Sequence, residues 1–198
     1  MTNMKKGDLR MITILDGWGE PVKIEARFLG RGSFATCYEV DGVVYSFVKQ
    51  QRRETDYSKE AIAEFAIGEH LPEIEKIGVF DDGTMLFKSK LYQPLTPKHK
   101  TAWRQFRILE SAWKNCRVGV SDYNFNYEII EALRGQIEPS IIESLESLVD
   151  ACGNYGDSYR LEFNKRNLKV DEAGRLILLD VIFNRKALKW HKPDYKKL

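Results

Sequence analysis

The stretch Arg160-Leu161-Glu162-Phe163-Asn164-Lys165-Arg166-Asn167, followed downstream by Leu178-Leu179-Asp180-Val181-Ile182, decides how the rest of the chain is read. An acid, Glu162, stands five residues before Asn167, and Asp180 stands thirteen residues after it. Between them Leu168–Val170 and Leu176–Val181 read as two short strands about the turn at Asp171–Gly174. A hairpin with Asn167 at one base and Asp180 at the other brings their oxygens together. Magnesium takes such oxygens at short, fixed distances and bridges them to phosphates. A surface hairpin with solvated polar groups would use the same residues, so features elsewhere in the chain have to separate the two readings.

Upstream, Leu29-Gly30-Arg31-Gly32-Ser33-Phe34-Ala35-Thr36-Cys37-Tyr38 closes one strand and opens another. A glycine-rich strand–turn–strand lets backbone N–H groups approach phosphates without interference from a Cβ. Two glycines alone also fit any tight hairpin. The next strand ends in Ser46-Phe47-Val48-Lys49. By itself this is a strand end; after a glycine loop, at this distance, it resembles the lysine of a V-A-I-K strand that contacts phosphates. Such a lysine needs a carboxylate to fix its rotamer. The following helical stretch offers Glu60, Glu64 and Glu69, with Glu64 preferred and Glu60 the fallback.

Around these motifs the first half reads as β-rich. Met11–Leu15, Lys23–Leu29, Cys37–Val40 and Val43–Lys49 carry β-branched and aromatic residues, and Asp41-Gly42 between the last two is a hairpin signal. A helix is expected over Tyr57–His70, then strands at Gly78–Phe80 and Met85–Leu91 about Asp81-Asp82-Gly83. The second half is helical. Trp103, Phe106, Leu109 and Trp113 mark one apolar face of Lys98–Cys116, and Pro139 opens a helix running to about Ala151. These aromatic stripes are core rather than ligand contacts. The expected fold is α+β, with a β-rich lobe over residues 1–92 and a helical lobe carrying the hairpin over 93–198.

Composition bounds the partners. The 198 residues are 43% hydrophobic and 30% charged, with a net charge of +2, which gives no argument for nucleic acid. No apolar run approaches the roughly 18–20 residues of a membrane span, and the polar start lacks a secretory signal, so a cytoplasmic location is expected. Cys37, Cys116 and Cys152 are isolated and odd in number, which fits reduced thiols rather than a disulfide framework or zinc site. From Arg185 onward six basic residues face one acid, Asp194; a solvated tail is the simple reading and docking of an acidic partner the other.

Taken together, L-G-x-G-x-F-x-x-x-Y, the lysine after it and the acid–asparagine–aspartate phrase resemble the protein-kinase-like superfamily. The chain is most similar to the compact early serine/threonine kinase of T-seven-like bacteriophages, over about Ile24 to Asn184. The resemblance implies a bilobal fold that binds ATP and magnesium, with Gly30, Gly32 and Ser33 over the phosphates and Lys49 oriented by Glu64. It further implies Asn167 and Asp180 as metal ligands and Glu162 as the base that deprotonates a Ser/Thr hydroxyl. Lys165 or Arg166 would balance the charge of the transferring phosphoryl group. A host protein would be the substrate, in the host cytoplasm if the chain is phage-encoded.

Departures from the pattern carry weight. Ala35 stands at the third glycine, Glu162 adds a methylene to the usual aspartate, Arg160-Leu161 replaces His-Arg, and Val181-Ile182 replaces Phe-Gly. Eighteen residues follow Asp180 in this sequence, too few for a full activation segment and peptide-docking helices. A pseudokinase that binds nucleotide or a host protein and acts by occupancy is therefore the rival reading, with a small-molecule kinase third.

Overall fold

The computed structural model describes residues 5–50, 54–116 and 121–191. Six strands form one antiparallel sheet: β1 (Leu9–Leu15), β2 (Pro21–Arg31), β3 (Ala35–Val40), β4 (Val43–Lys49), β5 (Ile74–Val79) and β6 (Thr84–Lys90). Their order is β1-β2-β3-β4-β6-β5, and helix α1 (Ser58–Glu64) is inserted between β4 and β5. The β3–β4 turn is the expected one. Asp41 and Gly42 have φ of 50° and 81°, the paired positive values that a two-residue hairpin turn needs.

Side-chain alternation gives the sheet one buried and one half-buried face. On one, Val48, Met85 and Phe87 pack with Tyr57 and Ala63 of the α1 region. On the other, rings run in sequence from Phe28 through Tyr38 and Phe47 to Phe80, with neighbouring centroids 5.6 to 6.0 Å apart. A Cβ at Gly78 would lie 2.7 Å from Leu15 Cδ1, so the two edge strands approach one another and the sheet curls.

Three helices build the second layer: α2 (Lys100–Asn115), α3 (Asp122–Leu133) and α4 (Pro139–Gly153). Proline at the first turn of α4 lacks the N–H that would go unpaired there. Ile141, Leu145, Leu148 and Cys152 run along its fully buried side. Short strands complete the chain: β7 (Gln93–Pro94), β8 (Tyr159–Leu161), β9 (Leu168–Val170), β10 (Leu176–Leu178) and β11 (Ile182–Asn184), then helix α5 (Arg185–His191). β10, β9 and β7 form one small sheet, and β11 and β8 another. The chain is α+β: an antiparallel six-stranded sheet with one inserted helix, followed by a helical layer that carries the short strands. No helix among the described residues is long and apolar enough to cross a membrane.

Three elements differ from expectation. The helix expected over Tyr57–His70 stops at Glu64, because α4 takes the amides that would continue it. Ile67 N–H donates to Ser147 Oγ at 2.7 Å and His70 N–H to Ser144 Oγ at 3.3 Å. Gly68 permits that approach, since a Cβ there would sit 2.9 Å from Ser144 Cα. Helix α3 was not expected at all; its Asp-Tyr-Asn-Phe-Asn start has low helix propensity. It is fixed by Ser121, whose hydroxyl accepts from Asn124 N–H, and by the buried Phe125, Ile129, Ile130 and Leu133. Finally, the last strand of the hairpin ends at Leu178, not Val181, which leaves Asp180 outside the ladder. Of the basic C-terminal stretch, residues 192–198 lie outside the described residues.

The two layers are joined at His70. Its Nδ1 lies 2.7 Å from Leu176 O, its Nε2 lies 3.1 Å from Ser140 Oγ, and its carbonyl accepts from Leu178 N–H at 2.7 Å. A second tie runs from Tyr57 N–H to the Tyr159 hydroxyl at 2.9 Å.

Candidate active site

Strand β8 delivers the chain to Glu162, and buried Asn126 fixes that strand's edge. The Asn126 side chain donates to Tyr159 O and accepts from Leu161 N–H, both at 2.9 Å. Fully buried Phe163 then anchors the loop. Asn164 caps a single 3-10 turn, Lys165–Asn167, by accepting from Arg166 N–H. Two backbone bonds close the constellation: Glu162 N–H donates to Val181 O at 2.7 Å, and Asp180 N–H to Asn167 O at 3.1 Å. Glu162, Asn167 and Asp180 are thus gathered at the open end of the β9–β10 hairpin. Lys165 lies with its ammonium 5.3 Å from the centre of the Trp103 ring on α2, and Arg166 is exposed.

On the sheet side, Gly30 ends the bulged part of β2, and Gly32 N–H donates to Ala35 O at 2.8 Å, which makes the expected tight strand–turn–strand with Ser33 at its tip. Lys49 ends β4 beside it. The structure does not bring Lys49 and Glu64 together. Val48 faces α1, so by alternation Lys49 belongs to the opposite face; it is exposed and makes no ion pair among the described residues. Glu64 instead lies 3.6 Å from Lys76 Nζ and accepts from the Tyr155 hydroxyl at 3.1 Å. Lys76 pairs more closely with Glu60, and that bond is the main cause of its raised pKa.

Two charged residues that no motif flags lie in the field of Asp180. Asp56, in the loop leading into α1, is buried, with its carboxylate accepting from Ser58 N–H at 3.1 Å. Burial pushes its pKa up to about 7 and the Asp180 charge adds to this, against the hydrogen bonds from Ser58 and Asn184. Lys169 on β9 is half-buried and donates to Arg166 O at 3.0 Å. Burial pulls its pKa down, while attraction to Asp180 opposes the shift. The available signals were local: an Asp two residues before a helix-opening Ser, and a lone cation between Leu168 and Val170.

A raised carboxyl pKa gives a definite pH dependence. Between the unfolded value near 3.8 and about 7, the native state holds a proton on Asp56 that the unfolded chain has lost, so stability falls as pH rises through this window. About three pH units at about 1.4 kcal/mol each amount to roughly 4 kcal/mol. Asp56→Asn keeps an acceptor for Ser58 without the charge. It is expected to be more stable than the native chain at pH 8, by up to about 4 kcal/mol, with the difference shrinking toward pH 4. Urea unfolding in EDTA at pH 4.5, 6 and 8 measures this; a gap that does not grow with pH contradicts it.

No protein-family model matches the chain, and no curated protein is similar to it. Among solved structures, it is similar to the apo form of a thermostable mutant of the aminoglycoside phosphotransferase APH(4)-Ia, at 13% identity. That alignment covers 90% of this chain and 69% of the other, with a TM-score of 0.35. The site's own chemistry therefore has to carry the functional reading. Among the described residues no three His, Cys, Asp or Glu side chains are grouped to hold a metal. A cation here would have one carboxylate, Asp180, and one amide oxygen, Asn167, and would complete its shell with phosphate and water. That donor set suits magnesium, which keeps several waters and binds through few protein oxygens plus substrate phosphates.

Proposed function

We propose that the chain is a kinase-like phosphotransferase that moves the γ-phosphoryl group of ATP to a Ser or Thr hydroxyl of a protein, in the manner of an early phage kinase acting in its host's cytoplasm. The observation that carries this reading is the pair of backbone bonds, Glu162 to Val181 and Asp180 to Asn167, which hold an acid, an amide and a second acid at one hairpin end. In the proposed reaction Glu162 takes the hydroxyl proton as the oxygen attacks γ-phosphorus; the bond from that phosphorus to the β-phosphate oxygen breaks, and ADP leaves. Bound magnesium would neutralise phosphate charge between Asn167 and Asp180. Gly30, Gly32 and Ser33 would cover the phosphates from the sheet with Lys49 beside them, and Lys165 and Arg166 would offset charge on the transferring group. Catalysis of this kind is mostly positioning and charge stabilisation, so a Glu in the base position is chemically sufficient. The two lobes divide at 92/93, just before β7 joins the catalytic hairpin.

One observation favours a second reading. Glu64 is engaged by Lys76 and Tyr155 and not by Lys49, an arrangement expected of a pseudokinase that acts on a host protein by occupancy. Incubation with γ-labelled ATP, magnesium and a Ser/Thr-rich acceptor such as casein separates the two. Label in acceptor or chain, released by phosphatase, is expected for the kinase; ATP binding without transfer to acceptor or chain is the result of the second reading.

A further inference from the structure

Helix α3 presents one face to strand β8. Phe125 and Asn126 lie three and four residues after Asp122, so the three side chains leave the helix together. All three grip the strand. Asn126 bonds the backbone of Tyr159 and Leu161, and the Arg160 guanidinium lies 3.5 Å from the centre of the buried Phe125 ring. Arg160 Nη1 is also 3.6 Å from Asp122 Oδ1, and the same oxygen accepts from Arg185 Nη1 at 2.6 Å. Arg185 follows the last residue of β11, and its N–H donates to Ser158 O at 2.8 Å. One largely buried carboxylate therefore straps both strands of the β8–β11 sheet.

That sheet needs a strap. Its strands pair over three residues each, Tyr159–Leu161 against Ile182–Asn184, and so short a pair is unstable in water by itself. Yet these strands deliver the site: Glu162 follows Leu161 directly, and Asp180 stands two residues before Ile182. How the strands sit against one another sets the spacing of the two acids. Without the Asp122 charge, the two guanidinium groups that share it would repel one another. We propose that Asp122 is a positioning residue of the phosphotransfer site, which fixes the distance between Glu162 and Asp180 by holding Arg160 and Arg185 to one point. This rests on the phosphotransfer reading above and adds to it a residue that acts through the two acids. A base must lie within hydrogen-bond reach of the acceptor hydroxyl, and a shift near 1 Å costs about a hundredfold in rate. Magnesium, which completes its shell with water, tolerates such a shift better. Loss of Asp122 therefore acts on kcat before it acts on ATP affinity.

The test measures kcat on casein with γ-labelled ATP, and ATP affinity in magnesium by calorimetry, for the full chain and its variants. Asp122→Asn and Arg185→Met are expected to lower kcat about ten- to a hundredfold and to change ATP affinity less than about threefold. Arg185→Lys, which keeps the charge, should lose less than Arg185→Met. Arg185 is the more exposed partner, so Arg185→Met carries the comparison if Asp122→Asn does not fold. A double-mutant cycle gives the decisive readout. In the Glu162→Gln background either substitution should cost less than about twofold, because the base whose place it disturbs is already gone. The same fold-loss in both backgrounds overturns the proposal in favour of a general structural role, as does an equal loss of kcat and ATP affinity. Native kcat in Asp122→Asn or Arg185→Met overturns it and leaves the phosphotransfer reading standing. No transfer by the native chain removes that reading and this proposal together.

Discussion

Glu162→Gln is expected to bind ATP as the native chain does and to transfer phosphate about a hundred- to ten-thousandfold more slowly. Removing a positioned general base costs that range because the attacking oxygen must lose its proton without help. The substitution keeps side-chain length and one acceptor oxygen, and glutamine retains the backbone bond to Val181 that helps to place the residue in the loop. The readouts are initial rates with γ-labelled ATP and, in parallel, ATP affinity by calorimetry. Loss of both together would mean that Glu162 supports the loop rather than the reaction. Undiminished transfer would remove it from the proposed base role.

Asp180→Asn is expected to weaken ATP binding in magnesium by about a hundredfold and to leave adenosine binding unchanged. Trading the carboxylate for an amide removes the strongest oxygen donor of a two-residue metal site, an interaction worth several kcal/mol. Asparagine preserves the backbone bond from position 180 to Asn167 O, so the hairpin end keeps its geometry. The affinity that remains should be nearly the same with magnesium and in EDTA. A variant that keeps the native response to magnesium would place the metal elsewhere.

Much of this site was legible in the sequence because it is built from local intervals. Glu162, Asn167 and Asp180 sit on one loop and one hairpin, and a short hairpin fixes where its two bases meet. The Gly32–Ala35 turn and the Asp41-Gly42 hairpin were legible for the same reason: each is decided by the residues inside it. What the sequence hid depends on contacts between distant segments. Helix α1 ends early because Ser144 and Ser147, some 80 residues away, capture its next amides. The carboxylate partner of Lys49 could not be read from spacing, since the choice between Lys49 and Lys76 for Glu64 turns on which face of its strand each lysine occupies. Asp56 and Lys169 carry no motif and gain their character from burial and from the Asp180 charge, both properties of the assembled fold.

The pairing of α1 with Lys76 bears on how the site would work. Glu60 and Glu64 both face Lys76, so the helix is tied to β5 at the outer edge of the sheet. Lys49, at the end of β4, attracts the Asp82 carboxylate in the neighbouring turn, whose lowered pKa comes mainly from the Thr84 N–H.

The most direct test of the central claim is calorimetric titration of the native chain with ATP, once in magnesium and once in EDTA. A single saturable site, with affinity raised by magnesium, is the predicted result. Absence of binding in both conditions would contradict the account and turn the search toward a protein partner.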